Sequence, residues 1–388
     1  MLSILPIAAA YFLFVIITIS ISPSLLGVRF ACLSVLSLVI DNIPRPVQGT
    51  PTSSIEISVT YQTVLYMAIM LLVTSDHVLL HRASHAHTRI KQHLPFTHMS
   101  ILSRFIWATD LVLSQRGVNW SWQIPYLRRS SISRGTFLIK KLSLLMAIIV
   151  LTQTSDRFIK ENKVFQGKVS MYDIGFKQRV ICAGFVWWTI ASSQLFNYTL
   201  SAILLVSLGV YEPYDWPSLY GRWGNAKSVR KFWGQTWHQL LRRPLQEHGK
   251  LIPERILRLP SNSRITSYVQ LYMAFFLSGL CHAVADWAVA PRQLETRTHT
   301  VAFFLLQAVV ITCEDAVISV GRKLGLSKPP PVLCYFWVTI WMGWSGPLWM
   351  DGMLQAGVRF RYDDFLKAVL DLAMAVGVIP QPAGTSAN

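Results

Sequence analysis

Eight stretches of this chain are each long and apolar enough to cross a lipid bilayer as a helix. A hydrocarbon core about 30 Å thick needs about 20 mostly apolar residues in helical form. The first stretch lacks the basic start and the small-residue cleavage site of a signal peptide, so we interpret it as a retained span. The sequence therefore predicts an all-α, polytopic membrane helical bundle of about eight transmembrane helices. The stretches are 4–21, 24–40, 58–80, 137–153, 180–210, 265–287, 299–320 and 332–350.

Two of these stretches leave the topology open. Lys140 and Lys141 interrupt the fourth, and their ammonium groups must reach an interface for it to cross. The fifth is too long for one straight crossing and contains Asn197, so it is either tilted or broken. If the fourth stretch did not cross, the loop 211–264 would change sides unless the fifth were a hairpin.

The chain carries a formal net charge of +17, although only 14% of its residues are charged. Soluble domains have about 25% charged residues, so this chain is unusually poor in charge for a soluble protein. The excess of positive over negative residues therefore reflects either nucleic-acid binding or membrane topology. The loops on one side sum to +19, those on the other to +2, and four acids within spans contribute −4. Since cytoplasmic loops favour Lys and Arg, loops 81–141 and 211–264 are predicted to be cytoplasmic, with both termini opposite. Topology and anionic lipid account for the charge, so no nucleic-acid partner is expected.

Nothing in the sequence divides the chain into separate units, because it has no internal repeat, low-complexity tract or long linker. We expect a single membrane-embedded domain over 1–350. The C-terminal segment 351–388 follows, and its end after Pro380 is expected to be disordered. Five cysteines, all in apolar stretches, do not form a disulfide scaffold.

His282 is the most informative ionisable residue within a span. It lies in YVQLYMAFFLSGLCHAVADW, with Ser278 four residues before it and Asp286 four residues after it. At about 100° per residue these three side chains form one polar stripe on an apolar helix. Because ionisable groups in a bilayer are costly, the stripe indicates a functional site, although a lone membrane histidine more often bonds a neighbouring helix.

A loop before this span predicts a second part of the site. In WPSLYGRWGNAKSVRKFWGQTWHQLLRRPL, residues 216–245, Ser228 is placed to cap an amphipathic helix on the cytoplasmic surface. An interfacial anchor is the ordinary explanation of such a helix. A histidine within a cationic face instead suits a phosphate-bearing acyl donor. The predicted polar face consists of Lys231, Gln235, His238 and Arg242.

These segments resemble the wax synthase branch of the membrane-bound O-acyltransferases. WPSLYG, SVRKFWGQTWHQ and FFLSGLCH follow one another as in that family, with RGVNWSWQIP (116–125) upstream and FFLLQAVVITCED (303–315) downstream. The strongest likeness covers about 216–315. The resemblance implies that His282 is the catalytic base and that Trp237 and His238 line the reaction centre.

The resemblance also implies a substrate class. Its fungal members often transfer acetyl groups from acetyl-CoA to hydroxyls of terpenoid or meroterpenoid intermediates, and the RGVNWSWQIP segment is similar to theirs. We therefore expect an acyl-CoA co-substrate, no permanently bound cofactor, a lipophilic alcohol acceptor and a location in the endoplasmic reticulum membrane. Wax ester synthesis from long-chain alcohols is the alternative.

The residues alone are consistent with ester formation. A neutral imidazole can take the proton of an attacking alcohol, and Asp286 is expected to orient His282. His238, Gln235 or a backbone amide would stabilise the oxyanion. An acyl-enzyme on Cys281 or Ser278 is less direct. Glu314 and Asp315, within the seventh stretch, either support the site from a second helix or bond another helix.

Two other functions need consideration. Six of ten histidines fall between 77 and 98, and the spacing of His77, His81 and His85 would suit a metal-dependent hydroxylase. That class has His-His doublets, which this sequence lacks, so we predict a basic loop at the headgroups, with Asp76 and His77 interfacial. A transporter is the non-enzyme alternative, but paired halves with broken helices are not recognisable.

Overall fold

The computed structural model describes residues 4–22, 24–44, 53–81, 86–90, 92, 94–125, 127, 131–291 and 293–359. The expected disorder after Pro380 lies outside the described residues, as do His85 and His93.

The part of the chain that the structure describes contains eleven α-helices of eight or more residues and no β-strand. They are α1 (Ile4–Ile21), α2 (Leu26–Asp41), α3 (Ser54–Ser75), α4 (Ile101–Leu113), α5 (Arg134–Glu161), α6 (Phe176–Ser207), α7 (Arg242–Gly249), α8 (Arg264–Val289), α9 (Leu294–Lys323), α10 (Pro331–Ser345) and α11 (Pro347–Gln355). A π-helical turn, Asp76–Leu80, continues α3 without a break.

Six of these helices are long and apolar enough to cross a membrane: α1, α3 with its π turn, α5, α6, α8 and α9. The helices α2 and α10 coincide with the second and eighth predicted spans, but they have only 16 and 15 residues. The all-α, polytopic membrane fold is therefore confirmed, while the number of eight spans stays a prediction.

The fourth and fifth predicted spans, which the sequence leaves open, each correspond to one continuous helix, α5 and α6. The fourth predicted span lies within α5, where the Lys141 ammonium sits 5.6 Å from the centre of the Tyr198 ring on α6. The fifth is one unbroken helix of 32 residues that runs through Asn197. Each of these segments is therefore a single helix long enough to cross.

Serine caps define where four of the helices begin. The hydroxyls of Ser53, Ser100, Ser133 and Ser263 each accept a hydrogen bond from the backbone amide three residues later. A free amide at a helix start needs such an acceptor, so these caps fix the first turns of α3, α4, α5 and α8.

Helix α8 packs against α3, α7 and α9. Gly279 allows α8 and α9 to approach closely, since a Cβ there would lie 3.2 Å from the Val301 Cα and the Phe304 Cβ. The approach brings Phe304 beside the next turn of α8. That turn carries His282, so the packing of the two helices sets the surroundings of the candidate base.

Candidate active site

His282 lies between aromatic rings of two other helices. Its ring centre is 4.6 Å from that of Phe304 on α9 and 5.1 Å from that of Trp349 on α11, which meets it edge-on. Its Nδ1 is 2.8 Å from the backbone carbonyl oxygen of Ser278. A carbonyl only accepts, so Nδ1 carries the proton and Nε2 is the acceptor atom of the ring. This is the protonation state that a general base needs.

A cavity of about 350 Å³ extends from His282 toward α7, and we call it the histidine cavity. It brings together residues of α6, α7, α8, α9, α11 and the loop before α7. Its walls are mostly aromatic and aliphatic, with a few convergent polar groups, as is typical of small-molecule sites. The lining includes Trp187, Gln194, Trp233, Trp237, His238, Gln239, Arg242, Gln246, Gln270, Ser278, His282, Phe304 and Trp349.

Asp286 does not orient His282, contrary to the expectation from the stripe. The histidine Nδ1 bonds the Ser278 carbonyl instead, because a backbone acceptor one turn earlier is already within reach. Asp286 is completely buried, and its polar neighbours are Arg297 and Thr300 of α9. Neither carboxylate oxygen has a hydrogen-bond partner among the described residues. The carboxylate belongs to the packing of α8 and α9 and is not a lining residue of the histidine cavity.

The predicted amphipathic helix over 228–242 is wrong in extent. Ser228 caps a helix as expected, but this covers only Val229–Lys231. A π-helical turn follows, and the backbone becomes extended at Trp237, with φ −62° and ψ 156°. The bend turns His238 inward, where its Nδ1 is buried without a partner among the described atoms. The four residues of the predicted polar face therefore do not share one surface.

Two contacts between motifs cause this bend. Gly221 approaches the end of the π-helical turn so closely that a Cβ would lie 1.9 Å from the Gln235 carbonyl oxygen, and its amide donates to the Thr236 carbonyl at 2.9 Å. Arg116 is buried and donates to the carbonyls of Pro217 and Ser218 at 3.0 and 2.6 Å. The sequence segments around 116, 216 and 236 thus form one joined structure around His238.

Glu314 supports this loop from α9. Its carboxylate accepts hydrogen bonds from the Val229 amide at 2.8 Å, the Arg230 amide at 3.2 Å and the Trp337 indole at 2.7 Å. Asp315 pairs with the Arg230 guanidinium. Of the two roles left open by the sequence, the geometry shows both, since the carboxylates hold the Val229–Arg230 turn and also bond other helices through Trp337 of α10 and Tyr268 of α8.

The residues of the loop that were expected to bind the donor are divided between the histidine cavity, a neighbouring cavity and the protein surface. Trp237 and Arg242 line the histidine cavity. Gln235 and Arg242 line a neighbouring cavity of about 510 Å³ that also contains Arg116 and Arg222, which we call the arginine cavity. The two cavities share Gly234, Gln239 and Arg242. Lys231 is exposed and lines neither of them.

Burial controls the charge of His238. Burial, the nearby His282 and then Arg116 lower the pKa of His238 from its usual 6.5 to about 3. His238 is therefore neutral at physiological pH and carries one N–H. It can donate one hydrogen bond into the histidine cavity without bringing in a charge.

The histidines near residue 80 are also placed differently from the prediction. Asp76 and His77 are buried rather than interfacial, with 1% and 4% of their surface exposed. Arg243 of α7, which is also buried, forms an ion pair with Asp76 and so compensates the burial of the Asp76 carboxylate. His87 is buried beside them. Within the described ranges no cluster of three metal-ligating side chains is found.

Three residues that sequence reasoning missed complete the site. Trp349 forms one wall of the histidine cavity and donates its indole N–H to the Tyr61 hydroxyl at 3.3 Å. Gln307 is fully buried and accepts from the indoles of Trp233 and Trp341 at 3.2 and 2.9 Å. Arg222 lines the arginine cavity. Only Gln307, a single amide in the apolar run FFLLQAVV, stands out in the sequence.

The chain is similar to known proteins along most of its length. The model of the membrane bound O-acyl transferase family matches residues 216–306. Acetyltransferase ple2 of Rhodocybe pseudopiperita is 32% identical over 361 residues, 86% of this chain and 91% of that protein. Acetyltransferase eriL of Hericium erinaceus is 30% identical, covering 70% and 72%, and acetyltransferase ataH of Aspergillus terreus 27%, covering 69% and 93%. No solved structure matches.

Proposed function

The chain belongs to the membrane bound O-acyl transferase family and is an acyltransferase, and we propose from this premise that it transfers an acetyl group from acetyl-CoA to a hydroxyl of a lipophilic alcohol, with His282 as general base. One observation carries the proposal. His282 keeps Nε2 as its acceptor atom in an aromatic cavity that is also lined by a neutral His238 and that shares lining residues with a cavity lined by arginines.

The arginine cavity suits the nucleotide end of coenzyme A. Its described lining has three arginines and no acidic residue, and phosphates are bound well by guanidinium groups. Arg116 already donates to two backbone carbonyls, so it contributes mainly its charge. Arg222 is exposed and Arg242 lies where the two cavities meet. The phosphates would sit at Arg222 and Arg242, and the thioester arm would reach His282 through the shared opening.

The residues of the histidine cavity supply the acid and base steps. His282 Nε2 takes the hydroxyl proton as the alcohol oxygen attacks the thioester carbonyl, forming the new C–O bond. The His238 N–H donates to the carbonyl oxygen as it becomes negative. The C–S bond then breaks, and the protonated His282 returns the proton to the coenzyme A sulfur. Cys281 is absent from the described lining of the cavity, which disfavours an acyl-enzyme on that thiol, while Ser278 is part of the lining. Direct transfer is the simpler route, because it needs only the base and the oxyanion donor.

The position of the site also fits a cytosolic donor. We propose that the end of the bundle carrying loops 81–141 and 211–264 faces the cytoplasm, because these loops carry most of the positive charge. The arginine cavity lies among these loops. In the endoplasmic reticulum membrane, acyl-CoA would then enter from the cytosol, and an alcohol dissolved in the bilayer would reach the same histidine.

A transfer assay tests the proposal. Membranes from an expressing host are incubated with labelled acetyl-CoA or palmitoyl-CoA and a panel of lipophilic alcohols such as farnesol and geranylgeraniol. We expect acetyl esters from the wild type and a loss of about 10²- to 10⁴-fold in His282→Ala, the usual contribution of a general base.

The matched control is His299→Ala, which removes an exposed histidine near the start of α9. It should retain full activity at equal expression. Absence of transfer by the wild type from either donor would contradict the proposal, as would equal transfer by His282→Ala. A preference for palmitoyl-CoA with long-chain alcohols would instead support the wax ester alternative.

A further inference from the structure

Helix α7 has two faces with different environments. Leu241, just before the helix, and Arg242, Leu245 and Gln246 within it line the histidine cavity. Arg243, Glu247 and His248 lie on the other face and contact the end of α3. The helix is therefore one wall of the proposed donor site on one side and an anchored element on the other.

The centre of the anchored face is a buried ion pair. The Arg243 Nε donates to the Asp76 Oδ2 at 2.9 Å, and 10% and 1% of these side chains are exposed. The Arg243 Nη2 donates to the His87 Nε2 at 3.1 Å, and the guanidinium lies 4.7 Å from the centre of the Trp122 ring. Burial, with smaller effects of His77 and Arg243, lowers the pKa of His87 to about 3. His87 is thus neutral and able to accept.

Two further links fix the rest of this face. His81 bridges two carboxylates, with Nδ1 2.7 Å from Asp76 Oδ1 and Nε2 3.0 Å from Glu247 Oε2. The His248 Nδ1 donates to the Pro244 carbonyl at 2.7 Å, so its Nε2 accepts from the Ser75 hydroxyl at 2.7 Å. All three links join α7 to the last turn of α3 and the residues just beyond it.

We propose that this α3–α7 clasp, formed by Asp76, His81, His87, Arg243 and Glu247, is a positioning device that holds the α7 wall of the cavity in the geometry that binds the acyl donor. The inference rests on the proposed function, since it assigns the donor to that wall. A buried network of this kind contributes little net stability compared with apolar packing, but its fixed distances and angles define one arrangement. Its members are positioning residues, because none of them lines the histidine cavity.

Donor binding by the purified full-length protein tests the clasp. The dissociation constant for labelled acetyl-CoA is measured in detergent for the wild type, Asp76→Asn, Arg243→Gln and the double variant. A wall displaced by about 1 Å lowers binding or catalysis by up to about 10²-fold. We expect each single variant to bind acetyl-CoA at least about tenfold more weakly. The double variant should weaken binding by less than the product of the two single effects, because both single variants remove the Asp76–Arg243 pair while each also removes contacts of its own.

Three further variants keep the result interpretable. Glu247→Gln, at the less buried edge of the clasp, should weaken binding severalfold even if the Asp76 variant does not fold. Glu161→Gln removes an exposed pair with Arg157 on α5 and should bind as the wild type does. His282→Ala should bind acetyl-CoA normally but not transfer it.

The outcomes separate the two proposals. Normal binding by folded Asp76→Asn, Arg243→Gln and Glu247→Gln, with an active wild type, would overturn the clasp and leave the proposed function intact. Failure of the wild type to bind or use acetyl-CoA would overturn the proposed function itself. A defect confined to turnover in the clasp variants, with an unchanged dissociation constant, would also contradict a role in donor binding.

Discussion

Arg242 and Arg243 are neighbours in the chain, but they lie on different faces of α7, about 100° apart. Arg242 lines both cavities, and its contacts there are the Gly234 carbonyl and the Gln239 amide oxygen, each at 3.2 Å. Arg243 is buried and bonds Asp76 and His87. The first is placed for a ligand, while the second is committed to partners within the protein. Two residues of one type thus acquire different roles from the direction in which the backbone turns.

The histidines on the two sides of α7 also differ in how completely their ring nitrogens are hydrogen-bonded. In the wall of the histidine cavity, just before α7, the His238 Nδ1 is buried without a partner in the described structure. On the clasp face, both ring nitrogens of His81 and of His248 are engaged. A buried polar atom without a partner is costly, and the His238 ring also lines the histidine cavity, which favours a ligand contact there.

The largest effect expected within this comparison is that of His238→Ala on the cavity face. Loss of one donor to an oxyanion lowers turnover by about 10²- to 10³-fold. We expect that fall in kcat for acetyl transfer, with the dissociation constant for acetyl-CoA changed much less. His248→Ala is the matched control on the other face and should leave kcat within a fewfold of the wild type. Equal loss of kcat in both variants would abolish the distinction between the faces.

A smaller effect is expected from Glu314→Gln, which alters the support of the loop that carries His238. The variant keeps the shape of the side chain but removes the charge that strengthens the bonds to the two amides and the Trp337 indole. Charge-assisted hydrogen bonds are about twice as strong as neutral ones. We expect activity to fall about tenfold, equivalent to about 1.4 kcal/mol. A normal thermal midpoint with reduced activity would show that the carboxylate orders the loop locally.

Predictability from the sequence differs between these elements for a physical reason. The position of His282 follows from helical periodicity, because α8 is a regular helix and its spacing fixes which residues share a face. The path of residues 228–242 depends instead on Gly221 and Glu314, which are distant along the chain. The local pattern is amphipathic and predicts a helix, but the close contact at Gln235 and the bend at Trp237 override it.

The partner of His282 illustrates the same limit within a regular helix. Spacing brings Ser278, His282 and Asp286 to one stripe, but it does not distinguish a side-chain partner from a backbone carbonyl. The wall formed by Trp349 could not be predicted from spacing either, since it requires α11 to pack against α3 and α9. Apolar patterning thus predicted the helices and the candidate base, while the walls of the cavity needed tertiary contacts.

The α3–α7 clasp should make the stability of the protein modestly dependent on pH. Hydrogen bonds to Asp76 and then Glu247 raise the pKa of His81 from 6.5 to about 9. The folded state therefore binds the His81 proton more tightly than the unfolded state does. This stabilisation is complete below about pH 6.5 and is lost as the pH rises through about 9. We expect a contribution on the order of 1 kcal/mol, seen as a falling thermal midpoint between pH 7 and 9.5.

His81→Gln should remove most of that slope, since glutamine does not titrate. Measurement of the thermal midpoint across this range for both proteins checks the prediction. The same slope in both proteins would assign the pH dependence to other groups and would weaken the case for a charged His81 in the clasp.

The smallest effect is expected for Lys231→Ala, compared with Arg242→Ala. Both residues belong to the polar face predicted from the sequence, but a π-helical turn follows Lys231 and the backbone becomes extended at Trp237, between the two residues. Lys231 is exposed and lines neither cavity, so its loss should leave the Michaelis constant for acetyl-CoA within about twofold, as for most surface substitutions.

Arg242→Ala removes a cation from the wall shared by the two cavities, and we expect the Michaelis constant to rise about tenfold, as for one charge-assisted bond to phosphate. Steady-state kinetics over a range of acetyl-CoA concentrations separates the two variants. An equal rise in both would mean that donor binding follows the continuous helical face of the sequence pattern. A rise in Arg242→Ala alone would mean that donor binding depends on the bend at Trp237, which turns only part of that face toward the ligand.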